Sequence, residues 1–195
     1  MNTTLNLYLG GEDSKLYLQK NSFLGLCHLQ ILYLYNLKIL VLERFIFQGM
    51  PELLQLKVQG NISSIEFDAF IDLIKLIDLN LSNCHIRKIS MDAFYGLQNV
   101  KRIDLSNNEL EFIPPGLFGI EQQKQLREII LSQNKLTSLP IDFFKMLRIP
   151  SRQQLDFAIV RLDGNPWDCT CLMFTWNPHL VSTKKLLFVS FLNEN

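Results

Sequence analysis

Histidine is scarce in this chain, with only His28, His85 and His179 among 195 residues. No Gly-x-Ser-x-Gly elbow, Walker loop, His-Glu-x-x-His pair or glycine-rich dinucleotide fingerprint accompanies them. With no base placed near a serine or cysteine, nucleophilic catalysis has no candidate constellation. The sequence therefore predicts no enzyme and no cofactor. Net charge is absent too, because 19 basic and 19 acidic residues cancel. No overall field draws the chain to nucleic acid or to an anionic membrane, so no nucleic-acid partner is expected.

Two further features are missing. Residues 1–15 have no basic leader, no long apolar stretch and no small-residue cleavage site, so they do not form a signal peptide. That is expected of a cytosolic protein, or of a mature or truncated form of an exported one. Long uninterrupted apolar runs are also lacking. Residues 23–42 come nearest, but His28, Gln30, Asn36 and Lys38 interrupt them, and residues 186–192 are too few to span a bilayer. No membrane insertion is predicted within the chain. Disorder is excluded from the other side, since 48% of the residues are hydrophobic and 19% charged.

What the chain has is a period. Phenylalanine recurs at Phe23, Phe47, Phe70, Phe94, Phe118 and Phe144, at intervals of 24, 23, 24, 24 and 26 residues. Five residues before each stands an aliphatic: Leu18, Leu42, Ile65, Ile89, Ile113 and Leu139. After Phe23 the aliphatics Leu26, Leu29, Leu32 and Leu34 follow at fixed offsets, repeated after Phe47, Phe70 and Phe94. Later units carry insertions and regain the frame at Leu126, Ile129 and Leu131, then at Val160 and Leu162.

Two units spell the pattern most fully. One runs through Val100, Ile103, Leu105, Asn108, Leu110, Ile113, Pro114 and Phe118; the other through Leu126, Ile129, Leu131, Asn134, Leu136, Leu139, Pro140 and Phe144. This resembles the leucine-rich-repeat family, in the form LxxLxLxxNxLxxLPxxxFxxL, over residues 18–171. The resemblance implies an α/β solenoid. Each LxL segment would be a short parallel strand on a concave face, with two aliphatics pointing inward. The convex side would be irregular, 3-10 or short helix. One turn cannot bury its apolar face alone, so neighbouring turns must stack.

In this frame Asn108 and Asn134 leave the strand into a tight buried turn. A side-chain amide there can donate and accept, satisfying main-chain groups that no sheet pairs. Cys84 and Asn61 take the same place in the two preceding units. The outward residues form rows: Ile31, Tyr33, Tyr35; Gln55, Lys57, Gln59; Asp78, Asn80, Ser82; Arg102, Asp104, Ser106; Glu128, Ile130, Ser132; Ile159, Arg161, Asp163. Tyr33 and Tyr35 read equally as interface anchors and as cover for the first turn. Asp78, Asp104, Glu128 and Asp163 read as a solvated strand face interspersed with Arg and Lys, and no metal site is predicted.

Four cysteines complete the inventory. Cys27 and Cys84 fall on different turns and read as buried small hydrophobes. The stretch from Asn165 through Trp167, Cys169 and Cys171 resembles the opening of the cysteine-rich C-terminal cap of extracellular animal leucine-rich-repeat proteins. No later cysteine completes it. The tail would then either cover the last turn loosely or be an altered end of the gene. Sequons stand at Asn2, Asn61 and Asn80. Asn2 and Asn80 are the glycosylation candidates, with Asn61 set aside as a buried turn residue.

The expected organisation is an irregular N-terminal edge with a first strand over 1–17, repeats over 18–164, and an incomplete cap and tail over 165–195. By its resemblance to Toll-like, Slit-like and secreted immune proteins, the chain is expected to be a binding scaffold in extracellular recognition, adhesion or innate defence. Its partner would be a protein or extracellular ligand, and homo- or hetero-dimers fit the class. The predicted binding residues are Tyr33, Tyr35, Lys57, Arg102 and Asp104. The alternative is a cytoplasmic regulatory or scaffold subunit.

Overall fold

The computed structural model describes residues 5–11, 13–118, 125–140, 143 and 159–168, together with the backbone of 188–190. Eight parallel strands share one sheet. They are β1 (Leu5–Leu9), β2 (Leu29–Lys38), β4 (Gln55–Asn61), β6 (Asp78–Asn80), β8 (Arg102–Asp104), β9 (Glu128–Ile130), β10 (Ile159–Arg161) and β11 (Phe188–Ser190), in that order. A second ladder of three joins β3 (Val41–Leu42), β5 (Ser64–Ile65) and β7 (Lys88–Ile89), also parallel. This is a leucine-rich-repeat solenoid, one layer per repeat.

Register explains why the repeat length is held. Leu32, Leu56, Leu79, Ile103, Ile129 and Val160 fall in line across the sheet. Each is at most 1% exposed, as are Leu34, Val58, Leu81, Leu105, Leu131 and Leu162 two residues further on. A side-chain period of two puts both aliphatics of each LxL inside and the intervening residue outside. Full burial of such a side chain contributes about 1.5–3 kcal/mol.

Behind the strands runs a spine of phenylalanines. Phe23, Phe47, Phe70, Phe94 and Phe118 are buried, with ring centroids 5.5–6.2 Å apart and ring planes 11–31° apart. The next ring against Phe118 is that of Phe143. It meets Phe118 edge-on at 6.0 Å and 82°, while Phe144 lies outside the described residues. The interval count passed over Phe143. The convex side is built from turns such as Ile71 N–H to Asp68 O and Leu73 N–H to Phe70 O, and Phe143 is the single helical residue among those described.

The chain leaves the strand face in two different ways. From β6 onward strands are short, and from β8 onward a buried asparagine closes each turn. Asn108 accepts from the Cys84 and Ile86 N–H groups at 3.0 Å, and donates to Leu81 O and Leu105 O at 2.9 Å. Asn134 accepts from Leu110 N–H and donates to Leu105 O and Leu131 O. The residue before each turn position, namely Asn83, Asn107, Gln133 and Gly164, is left-handed. In β2 and β4 the strands instead run on to Lys38 and Asn61, and Leu37 pairs with Gly60 and Lys38 with Asn61. A Cβ on Gly60 would overlap the Leu37 carbonyl oxygen and lie 2.7 Å from its nitrogen, so only glycine fits.

Asn61 is accordingly not a buried turn residue. It is exposed at the end of β4. From Val58 to the next inward aliphatic, Ile62, is four residues, against five from Leu81 to Ile86 or Leu105 to Leu110. The shorter exit leaves Asn61 on the strand, paired with Lys38 and exposed, rather than turned inward. Cys84 stands at the junction of the two regimes. It is fully buried and donates its thiol to Val58 O at 3.1 Å, and the Ile62 N–H bonds the Cys84 carbonyl at 2.8 Å. Burial pushes that thiol up to about 12.

Two other expectations change. Cys27 is exposed in the turn before β2 and not a core residue. Residues 188–190, for which a loose cover over the last turn is one expectation, instead add β11, with Ile159 opposite Phe188 and Val160 opposite Val189.

Candidate functional site

The outward residues of the sheet align as true rows. Ile31, Gln55, Asp78, Arg102, Glu128 and Ile159 stand in one line, and Tyr33, Lys57, Asn80, Asp104, Ile130 and Arg161 in the next. The second line reaches back to Tyr8, which pairs with Tyr33. Two surfaces of opposite character result.

The N-terminal one is aromatic. Tyr8 stands edge-on to Tyr33 with centroids 5.1 Å apart, and remains 56% exposed. Tyr33 donates its hydroxyl to Gln55 at 3.2 Å, and the Lys57 ammonium sits 5.8 Å over the Tyr35 ring. Burial, then Tyr8, Asp78 and Tyr35, raise the Tyr33 phenol above its ordinary pKa. Tyr8 was absent from the sequence-derived array. Its signal was available, because Leu7-Tyr8-Leu9 repeats as Leu32-Tyr33-Leu34 twenty-five residues on.

The middle surface is a lattice of charge. Arg102 donates to Asp104 at 2.7 Å, to Glu128 at 3.0 Å and to Asp78 at 3.2 Å, and Arg161 reaches Glu128 at 3.1 Å. Burial disfavours the Arg102 charge, but Asp78 and Asp104 outweigh it and its pKa is raised. Asp104 is 6% exposed and also accepts from the Ser106 N–H and hydroxyl at 3.0 and 2.6 Å. Asn80 accepts from the Ser82 hydroxyl at 2.8 Å and donates to Asp104 at 3.4 Å. Arg102 and Asp104 are thus engaged with each other, whereas among the described residues the Lys57 ammonium and the Tyr35 ring chiefly meet one another.

A third cluster lies on the flank. Glu109 accepts from Lys135 at 3.0 Å and Arg87 at 3.2 Å, with His85 also 3.2 Å away. Hydrogen bonds from Lys135 and His85 hold its carboxyl down to about 2.

Among the described residues no three His, Cys, Asp or Glu side chains are grouped to hold a metal ion, and no helix is long and apolar enough to cross a membrane. Of the cap residues, Trp167 packs on the core and donates its indole N–H to Leu162 O at 3.0 Å. Cys169, Cys171 and the sequon at Asn2 lie outside the described residues. One turn residue escaped the sequence reading. Asn165 accepts from Leu136 N–H at 3.1 Å and donates to Leu131 O and Leu162 O, continuing the series of Asn108 and Asn134. The spacing from Leu162 to Asn165 repeats that from Leu131 to Asn134, which would have identified it.

Residues 27–86, 74–119 and 125–147 match models of the leucine-rich-repeat family. The chain belongs to the leucine-rich-repeat family. Among relatives of this family, leucine-rich repeat-containing protein 3 of Danio rerio is 34% identical over 98 residues, covering 50% of this chain and 33% of its own. Toll-like receptor 5 of Homo sapiens is 30% identical over 83% of this chain and 19% of the receptor. Tsukushi of Xenopus tropicalis is 41% identical over 36% of this chain and 19% of its own. A crystal structure of a TLR13–ssRNA13 complex superposes with a TM-score of 0.52 at 25% identity, over 62% of this chain and 20% of that one. The chain therefore spans a third or less of these leucine-rich-repeat proteins.

Proposed function

We propose that the chain is a non-enzymatic scaffold that binds a protein partner through the strand face, outside the cell, in recognition, adhesion or innate defence. The observation that carries this is the pairing of two surfaces on one rigid sheet. An aromatic end at Tyr8, Tyr33 and Tyr35 with Lys57 adjoins the fixed lattice around Arg102 and Asp104. Tyrosines supply contact area at low entropic cost, and preset charges select among partners more than they add affinity. The Toll-like and Tsukushi relatives support this reading. Dimers with itself or another repeat protein fit the same face.

The TLR13 neighbour is in complex with ssRNA, but a protein partner suits this face better. Asp78, Asp104 and Glu128 would meet a phosphate backbone, and Arg102 and Arg161 are already spent on them. One observation favours the cytoplasmic alternative, namely the exposed free thiol of Cys27.

The test is binding of the purified chain to a panel of animal receptor and secreted ectodomains. Tyr35→Ala and Lys57→Glu should each weaken a hit at least about tenfold, roughly 1.4 kcal/mol, with unchanged melting. A hit insensitive to both, or salt-dependent binding to a single-stranded RNA oligomer instead, would overturn the proposal.

A further inference from the structure

The sequon Asn61-Ile62-Ser63 sits on a surface that the repeat pattern misassigned. Asn61 is exposed at the last position of β4, following Gln55, Lys57 and Gln59 on the outward side of the strand. Its backbone pairs with Lys38, and among the described residues its side-chain amide has no hydrogen-bond partner. Ile62 is fully buried, and the Ser63 N–H bonds Leu40 O at 2.7 Å. A transferase could therefore read the tripeptide only before the layer closes, whereas the amide nitrogen stays in solvent afterwards.

Asn80 offers the opposite case. Its amide is half-buried in the middle of the strand face, with its oxygen accepting from Ser82 and its nitrogen 3.4 Å from Asp104. It stands between Lys57 and Asp104 in the row. A sugar there would break those bonds and cover the surface to which binding is assigned.

We propose that Asn61 carries an N-linked glycan, placed at the rim of the strand face so that the aromatic end and the charge lattice stay open. In the transfer, the Asn61 amide nitrogen bonds to C1 of the reducing N-acetylglucosamine of a polyprenyl-pyrophosphate-linked oligosaccharide. The C1–O bond to phosphate breaks, polyprenyl pyrophosphate leaves with the electron pair, and the amide loses one proton. Ser63 supplies the hydroxyl residue the sequon requires at the second following position. The glycan shields the flank where β4 ends beside Lys38, and so restricts approach from that side. The proposal rests on the extracellular reading.

The experiment expresses the full chain behind a supplied signal peptide in cultured animal cells. Material from the medium is treated with peptide N-glycosidase in heavy-oxygen water and mapped by mass. The Asn61 peptide should carry the labelled aspartate, and Asn61→Gln and Ser63→Ala should each remove one glycan from the intact mass. Ser63→Ala keeps Asn61 itself, so a folding defect of one variant does not hide the answer. Recovery of unmodified Asn61 peptide from secreted chain, or an unchanged mass in both variants, overturns the proposal. The extracellular reading fails on a separate readout. If Asn61 is glycosylated yet the secreted chain engages no ectodomain through Tyr35 and Lys57, the site stands and the assigned role does not.

Discussion

The two halves of this solenoid solve one problem by different means. Wherever the chain leaves the sheet, main-chain groups face inward with no neighbouring strand to pair them. In the N-terminal half the strands simply continue, so that Leu37 with Gly60 and Lys38 with Asn61 pair backbone to backbone. In the C-terminal half the strands stop after three residues, and Asn108, Asn134 and Asn165 fill the gap with side-chain amides. The first solution depends on two backbones approaching closely. The second depends on one residue type in a buried slot. Each half should therefore break in its own way.

The largest effect is expected at Gly60. Gly60→Ala places a methyl against the Leu37 backbone, which cannot give as a flexible side chain would. A loss of about 3 kcal/mol or more is expected in denaturant unfolding, because overpacking at rigid backbone sits at the upper end of its range. A near-neutral result would mean that the close pairing of β2 and β4 is not what holds the N-terminal half.

Next come the asparagines. Asn108→Ala leaves two buried N–H groups, on Cys84 and Ile86, without acceptors. A loss of about 2–3 kcal/mol follows from the desolvation cost of unsatisfied buried donors. Asn61→Ala, at the equivalent sequence position one regime earlier, should stay within about 0.5 kcal/mol, as exposed substitutions do. Equal costs for the two would erase the distinction between the halves.

Ionisation of the junction thiol has no effect at neutral pH and acts only in alkali. The buried Cys84 thiol keeps its proton to about 12 in the folded chain, against 9.0 ordinarily. A raised folded value means stability that is present below pH 9 and lost as pH climbs from there toward 12. Thermal melts across that window should fall more steeply for the native chain than for Cys84→Ala. Parallel slopes would show that Cys84 does not resist ionisation in the fold.

The period of the chain was legible because burial dictates it. An LxL pair that is inward in one layer must be inward in the next, and the phenylalanine spine needs one ring per layer. Single-residue differences were not legible. A four-residue exit at Val58 instead of five turned Asn61 from a turn residue into a strand end, and the interval count passed over Phe143, whose ring meets Phe118. Cys27 was misplaced because period alone cannot tell a turn's solvent side from its core side. The rows of the strand face could be counted, but not which members neutralise one another. That Arg102 holds three carboxylates depends on side-chain reach across strands, which offsets do not encode.

One property of the asparagine series concerns length. Asn108 and Asn134 are 26 residues apart and Asn134 and Asn165 are 31 apart, yet each bonds the carbonyl three residues before it at 2.9–3.0 Å. Each also donates to the matching carbonyl one layer back at 2.9 Å. Address is thus written next to the strand and not around the whole loop. The far side of a layer is free to take up inserted sequence while the sheet keeps its alignment, so this half of the molecule is where new segments can be spliced in without redrawing the face that meets a partner.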